Sequence, residues 1–112
     1  MTFVRLDTQF YGNTKIATTS LESVGVYVLG LTFAGDHMTN GVIPAHALPM
    51  TRARPKHIRE LERAGLWVPV SGGWVIHDYL EHQRSREDIE TIREQTRQRM
   101  RQWRARRNGD AS

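Results

Sequence analysis

The segment 66–77 predicts a β-hairpin, and a hairpin at this place restricts the folds open to the chain. Two β-rich runs flank the Gly-containing, three-residue turn Ser71-Gly72-Gly73, the pattern of two strands joined by a short loop. Because Pro69 lacks the amide that a central strand needs, the first run is expected at a sheet edge or near the hairpin tip. Trp67 and Trp74 lie on opposite runs and are expected to pack across the hairpin onto the core.

A short basic helix is predicted directly before this hairpin. Pro55 opens it, since proline has no backbone N–H and the first turn of a helix leaves that group without an intrahelical partner. Gly65 fits the helix end, where glycine takes the left-handed backbone conformation. Ile58, Leu61 and Ala64 mark the buried face. The other side carries five of the seven basic residues found in residues 1–83: Arg52, Arg54, Lys56, Arg59 and Arg63.

The longest apolar segment predicts a central core helix that begins near Thr19. The spacing Thr19-x-x-Glu22 is that of a capping box. The apolar residues that follow cover two faces, so the helix is apolar almost all round and is expected to be buried. They are Leu21, Val24, Val28, Leu31 and Met38 on one face, and Val26, Leu29 and Phe33 on the other. Gly25 and Gly30 weaken the helix in isolation but permit close packing.

Three shorter elements are predicted around the core helix. Residues 3–7 alternate apolar and charged side chains, which is typical of a short strand. Residues 41–43 indicate a very short strand after a turn. Pro44 then starts a single helical turn over 45–48, and Pro49 ends it.

One long basic helix is predicted over 85–107, with a linker at 81–84 before it and a disordered end at 108–112 after it. Residues 1–80 form the preceding domain. Ser85-x-x-Asp88 is a helix-start pattern, and acids in the first turns with arginines in the last turns suit the helix macrodipole. A thin apolar stripe along this helix is the candidate surface for oligomerisation: Ile89, Ile92, Met100 and Trp103.

The net charge of +4 is confined to the C-terminal part of the 112-residue chain. Residues 1–83 hold seven basic and seven acidic residues, whereas residues 84–112 hold nine arginines and five acids. The absence of cysteine excludes disulfides and thiolate metal sites and fits a reducing compartment. The longest apolar run, 24–34, is too short to span a bilayer. We therefore expect a cytoplasmic protein with no membrane partner.

The order of these elements predicts an α+β fold, a winged helix-turn-helix with a long basic C-terminal helix. The two middle helices would form the helix-turn-helix, and the hairpin would be the wing. A major groove admits a helix, and a basic helix reads bases there while other side chains hold phosphate.

The candidate contacts to double-stranded DNA fall into three groups. The first surrounds the basic helix: Arg52, Arg54, Lys56, His57, Arg59 and Arg63. The second is the wing tip, Ser71 and Gly72. The third lies on the C-terminal helix, where Arg97, Arg101 and Arg104 would neutralise phosphates.

Four stretches also resemble a known family. FVRLDTQFYGNTKI (3–16), TNGVIPAHAL (39–48), LERAGLW (61–67) and GGWVIHDYLEHQRSRED (72–88) are similar to the N-terminal region of phage and prophage helix-turn-helix proteins, many of them actinobacterial. Such proteins are often described as replisome organisers or replication initiators. The resemblance covers roughly residues 3–107 and implies a DNA-binding winged helix in a bacterial host cell. Longer members contact a helicase or loader through a further C-terminal region, and this chain stops soon after the basic helix. The resemblance therefore implies DNA binding more directly than helicase recruitment.

The stretch GGWVIHDYLEHQ (72–83) concentrates four potential metal or acid–base groups: His77, Asp78, Glu81 and His82. If the second strand continues through His77 and Asp78, their side chains diverge. No spacing brings all four groups to one centre, and the two His at i and i+4 of a zinc helix are lacking. Asp78 is expected to cap the following turn, with His77 as a half-buried strand residue. We expect no enzyme, no metal site and no cofactor.

The function expected from these features is sequence-specific or structure-specific DNA binding, in replication initiation or transcriptional regulation. The alternative is a protein-interaction module, in which the C-terminal helix contacts a second copy or a replication protein. A homodimer and a replication protein therefore stay open as partners beside DNA.

Overall fold

The computed structural model describes residues 3–83 and 86–110, which form an α+β structure. In chain order, the helices are α1 (Thr14–Ala17), α2 (Leu21–His37), α3 (Leu48–Thr51), α4 (Pro55–Arg63), α5 (Tyr79–His82) and α6 (Arg86–Asp110). Short 3₁₀ turns occupy Phe10–Gly12 and Ala45–Ala47. The strands are β1 (Val42–Pro44), β2 (Trp67–Val70) and β3 (Gly73–Ile76).

Helix α2 runs through the core, as predicted. Ser20 caps it, since its hydroxyl accepts a hydrogen bond from the Ser23 amide at 3.3 Å. The cap expected at Thr19 is therefore one residue early. The buried face is Ser23, Val26, Gly30, Leu31, Ala34 and Gly35. The all-round burial expected from the two apolar faces is wrong at Leu21, which is 86% exposed.

The three described strands form one antiparallel sheet in the order β1-β3-β2. The register places Val70 opposite Gly73 and Trp67 opposite Ile76. The hairpin turn is therefore the two residues Ser71 and Gly72, not three, and Gly72 has a φ of +80° that suits glycine. The short strand predicted at 41–43 is confirmed, shifted by one residue.

The hairpin packs onto α2 through Trp67. Its side chain is 1% exposed, and its ring lies 6.1 Å from that of Trp74, so the predicted cross-strand packing is confirmed. A Cβ on Gly30 would meet Ile43 at 2.7 Å and Trp67 at 3.0 Å. Gly30 thus provides the close approach between helix and sheet that the sequence predicted. Gly25 does not share this role, because a Cβ there meets nothing within 4 Å.

The N-terminal segment is not the strand predicted over 3–7. The backbone of Arg5 instead bonds to the Gln83 side chain, donating to Oε1 at 2.7 Å and accepting from Nε2 at 2.6 Å. The amide of one side chain thus takes both main-chain bonds that a neighbouring strand would have supplied. This pairing holds the segment beside α5.

The turn before the basic helix also differs from its prediction. Pro49 does not end a helix: it lies in the first turn of α3, where a missing amide costs nothing. Helix α3 therefore continues to Thr51, whose hydroxyl bonds to the Leu48 carbonyl at 2.7 Å. The connection to α4 is correspondingly short.

The long C-terminal helix is confirmed and extends to Asp110, beyond the predicted end at 107. Part of the disordered end predicted at 108–112 is therefore helical. The first two residues of the linker predicted at 81–84 belong to α5. The start predicted at Ser85 lies outside the described residues.

Candidate nucleic-acid interface

Helix α4 separates its buried and basic sides clearly. Leu61 is fully buried, and Ile58 and Ala64 lie against the core. Lys56, Arg59 and Arg63 are exposed. They are spaced three and seven residues apart, so they share the outward face.

Two glutamates on the edges of α4 fix how that face is presented. The Glu60 carboxylate accepts a hydrogen bond from the Ser20 amide, at the start of α2. This bond holds the pKa of Glu60 below its usual value. The Glu62 carboxylate accepts from Trp74 Nε1 at 2.7 Å, on the hairpin. Both acids are thus directed at neighbouring elements, and the outward face between them is left to the cations.

A third acid joins α2 to the start of α4. Glu22 Oε2 lies 3.0 Å from His57 Nε2 and 3.2 Å from Lys56 Nζ. The hydrogen bond from His57, followed by that from Lys56, lowers the pKa of the Glu22 carboxyl. Of the predicted contacts on α4, Lys56 is therefore shared with an acid of the protein itself.

His57, predicted as a DNA contact, has an internal structural role. Its side chain is turned inward, and the residue is 8% exposed. Its Nδ1 accepts a hydrogen bond from the Arg54 amide at 3.0 Å, so the proton sits on Nε2, which donates to Glu22. Both ring nitrogens are occupied, and none is left for a phosphate. The sequence pattern missed this because the His57–Glu22 contact spans 35 residues.

Arg52 and Arg54 bracket the connection between α3 and α4. Arg52 ends α3 with a φ of +60°, and Arg54 is the N-cap residue of α4. Both are exposed, and the first turn of α4 holds no acid. The positive end of the helix dipole therefore lies among exposed cations, a setting that attracts anions.

The hairpin tip lies exposed at Ser71 and Gly72. Residues 64–83 contain neither lysine nor arginine. Any contact of this tip with a phosphate would use backbone amides or the Ser71 hydroxyl rather than a cation.

The predicted residues of α6 are solvent-accessible. Arg97, Arg101 and Arg104 are exposed, and Arg97 pairs with Glu94 at 3.0 Å. The apolar stripe is also accessible: Ile92 is 37%, Met100 47% and Trp103 54% exposed, while Ile89 is half-buried. The Arg107 guanidinium lies 5.4 Å from the centre of the Trp103 ring, as a cation–π pair does.

The histidine-rich stretch is arranged differently from its prediction. Asp78 has a φ of +57°, which ends β3 at Ile76 and turns its carboxylate back to His77 Nε2 at 3.0 Å. The divergence expected for a strand through both residues does not apply, because β3 ends before them. The side-chain cap predicted at Asp78 is wrong. His77 is exposed rather than half-buried.

The His77–Asp78 pair borders a cleft of about 560 Å³, which Phe10 and Tyr27 also line. Burial, with a smaller effect of the nearby Asp78, raises the pKa of Tyr27. In the part of the chain that the structure describes, no three His, Asp or Glu side chains are grouped as metal ligands.

Comparison of the chain with protein-family models, with curated proteins and with solved structures found no match in any of the three. Among the described helices, none is long and apolar enough to cross a membrane.

Proposed function

We propose that the protein is a winged-helix, double-stranded DNA-binding protein that reads DNA with the outward face of α4. The observation that carries this proposal is the display of Arg59 and Arg63 on a face whose flanking acids, Glu60 and Glu62, are bonded to neighbouring elements. The assignment to replication initiation or transcriptional regulation in a bacterial cytoplasm rests on the sequence resemblance.

The topology supports the winged-helix part of the proposal. The order α2, β1, α3, α4, β2, β3 places two helices between the first strand and a hairpin. The central position of β3 lets the first strand and the hairpin form one sheet. In helix-turn-helix proteins the second helix of the pair enters the major groove, and here that helix is α4.

The cations and the hairpin would have different parts in the DNA contact. Since the hairpin lacks cations, electrostatic attraction comes from the α3–α4 connection, the face of α4, and α6. Arg52 and Arg54 would hold phosphates beside the groove, and Arg59 and Arg63 would reach base edges or phosphates within it. The tip at Ser71 and Gly72 would approach the backbone closely, with little effect on salt dependence.

Substitution of the α4 face tests this proposal. Arg59→Gln and Arg63→Gln together should weaken binding to duplex DNA. They should also reduce the slope of log affinity against log salt concentration by about 0.9 for each lost phosphate contact. If Arg59 reads a base, its loss should cost about 1–3 kcal/mol at one position of the site. Fluorescence anisotropy with labelled duplexes measures both effects.

A matched control removes a cation elsewhere. Arg5 is exposed on the N-terminal segment, so Arg5→Gln changes the net charge without touching α4. Equal losses of affinity in Arg5→Gln and in Arg59→Gln or Arg63→Gln alone would mean that binding follows net charge and not the α4 face.

The exposed stripe on α6 favours a second candidate function, a protein-interaction module that contacts another copy or a replication protein. Large apolar side chains such as Trp103 are among the residues that anchor protein interfaces. Both functions are compatible in one chain, because α4 and the α6 stripe are separate surfaces.

A further inference from the structure

The apolar stripe of α6 is symmetric about its centre. Its apolar residues, together with the exposed Thr96, follow at steps of three, four, four and three: Ile89, Ile92, Thr96, Met100 and Trp103. At about 100° per residue, all five lie within roughly 40° of the direction of Thr96. The stripe is therefore straight and reads the same in both chain directions.

This symmetry suits one kind of occupant. When two such helices lie antiparallel with their Thr96 residues at the same level, Ile89 of each faces Trp103 of the other, and Ile92 faces Met100. Every apolar residue then meets an apolar residue over a length of roughly 21 Å, at about 1.5 Å per residue.

Thr96 is suited to the centre of such a pair. Its hydroxyl donates to the Ile92 carbonyl at 2.9 Å, within its own helix. The hydroxyl thus needs no partner from outside, and the small side chain permits close approach of a second helix.

The charges of α6 decide between the two orientations. Residues 86–96 contain four acids and two arginines, whereas residues 97–110 contain six arginines and one acid. Parallel pairing would place the arginine-rich halves side by side. Antiparallel pairing places each arginine-rich half against the acidic half of the other copy, which lowers the repulsion.

We propose that α6 pairs with α6 of a second copy, antiparallel and centred on Thr96. The proposal does not depend on DNA binding, and its test contains no DNA. Pairing of this kind would hold two α4 faces in one assembly.

The oligomeric state is the first part of the test. Sedimentation equilibrium of the full chain, over a roughly hundredfold range of concentration, should show a mass that rises from 12.9 kDa towards twice that value. Ile92→Gln with Met100→Gln should abolish the rise. Leu21→Gln is the matched control, because it replaces an apolar residue that is 86% exposed outside α6, and it should leave the rise unchanged.

Single cysteines then determine the orientation, since the chain has none of its own. Under oxidising conditions, Thr96→Cys should form a disulfide-linked dimer. Ile89→Cys alone should link far less, whereas Ile89→Cys mixed with Trp103→Cys should give the mixed dimer, because disulfides need Cα atoms within about 7 Å.

Three outcomes would overturn the proposal. A single 12.9 kDa species at every concentration would exclude the pair. A dimer that survives Ile92→Gln with Met100→Gln would place the contact elsewhere. Self-linking of Ile89→Cys as complete as that of Thr96→Cys would show parallel helices.

Discussion

At the scale of single residues, Gly25 and Gly30, two of the three glycines of α2, show what the sequence pattern predicts and what it leaves out. Both were expected to permit close packing, and only Gly30 does so, against Ile43 and Trp67. The local pattern could not separate them because the difference lies in the sheet that arrives from residues far along the chain. His57 shows the same limit: its basic neighbours predicted exposure, and the distant Glu22 draws it inward.

The two glycines give a matched pair of stability predictions. Gly30→Ala should destabilise the protein by about 1–3 kcal/mol, because the new methyl must displace Trp67 or Ile43. Gly25→Ala should instead stabilise it by about 0.5–1 kcal/mol, since alanine is the better helix former and the site is open. Urea unfolding of both variants beside the parent measures the free energies of unfolding. A stabilised Gly30→Ala variant would contradict the packing of α2 on the sheet.

At the scale of elements, local signals predicted α2, α4, the hairpin and α6 within a few residues. Pro55 and Gly65 marked the two ends of α4, and the Gly-containing turn located the hairpin, because each of these has a backbone requirement that acts locally. Errors fell where a local signal has two meanings. The alternation over 3–7 fits a strand, but a strand needs a neighbouring strand to bond with. Here the Gln83 side chain takes the backbone hydrogen bonds of Arg5 that a neighbouring strand would have made. A proline can either end a helix or lie in the first turn of one, and Pro49 lies in the first turn of α3.

The carboxylates of Glu22 and Glu60 join α4 to α2, so the stability of the protein should depend on pH. The pKa values of Glu22 and Glu60 are lowered in the folded protein. Their contribution to stability is therefore present above the unfolded value near 4.5 and is lost as pH falls through the folded pKa values. The parent should lose stability from about pH 5 downwards, and Glu22→Gln with Glu60→Gln should lose less over that range.

Urea midpoints measured across this pH range check the prediction. Glu87→Gln, an exposed acid on α6, is the control and should follow the parent. If the double variant loses as much stability as the parent on acidification, the two carboxylates do not stabilise the attachment of α4.

At the scale of the whole molecule, the division of charge in the sequence corresponds to a division of structure. Within the neutral part of the sequence, the described residues 3–83 fold around α2 and the sheet, and their clustered cations lie at the α3–α4 connection and on α4. The basic remainder includes α6, with arginines beside an exposed apolar stripe. The distribution of charge along the sequence predicted these two parts. It could not predict that Glu60 and Glu62 bond to neighbouring elements and so leave the α4 face basic, because those partners are distant in sequence.

The salt dependence of duplex binding tests the central proposal most directly. The full chain is titrated onto labelled double-stranded DNA at several salt concentrations, with circular dichroism to verify folding. Four exposed arginines, Arg52, Arg54, Arg59 and Arg63, predict a slope of log affinity against log salt of roughly −3 to −4, steeper if α6 contributes. Absent or salt-independent binding by a folded chain would contradict the assignment of the α4 face to DNA.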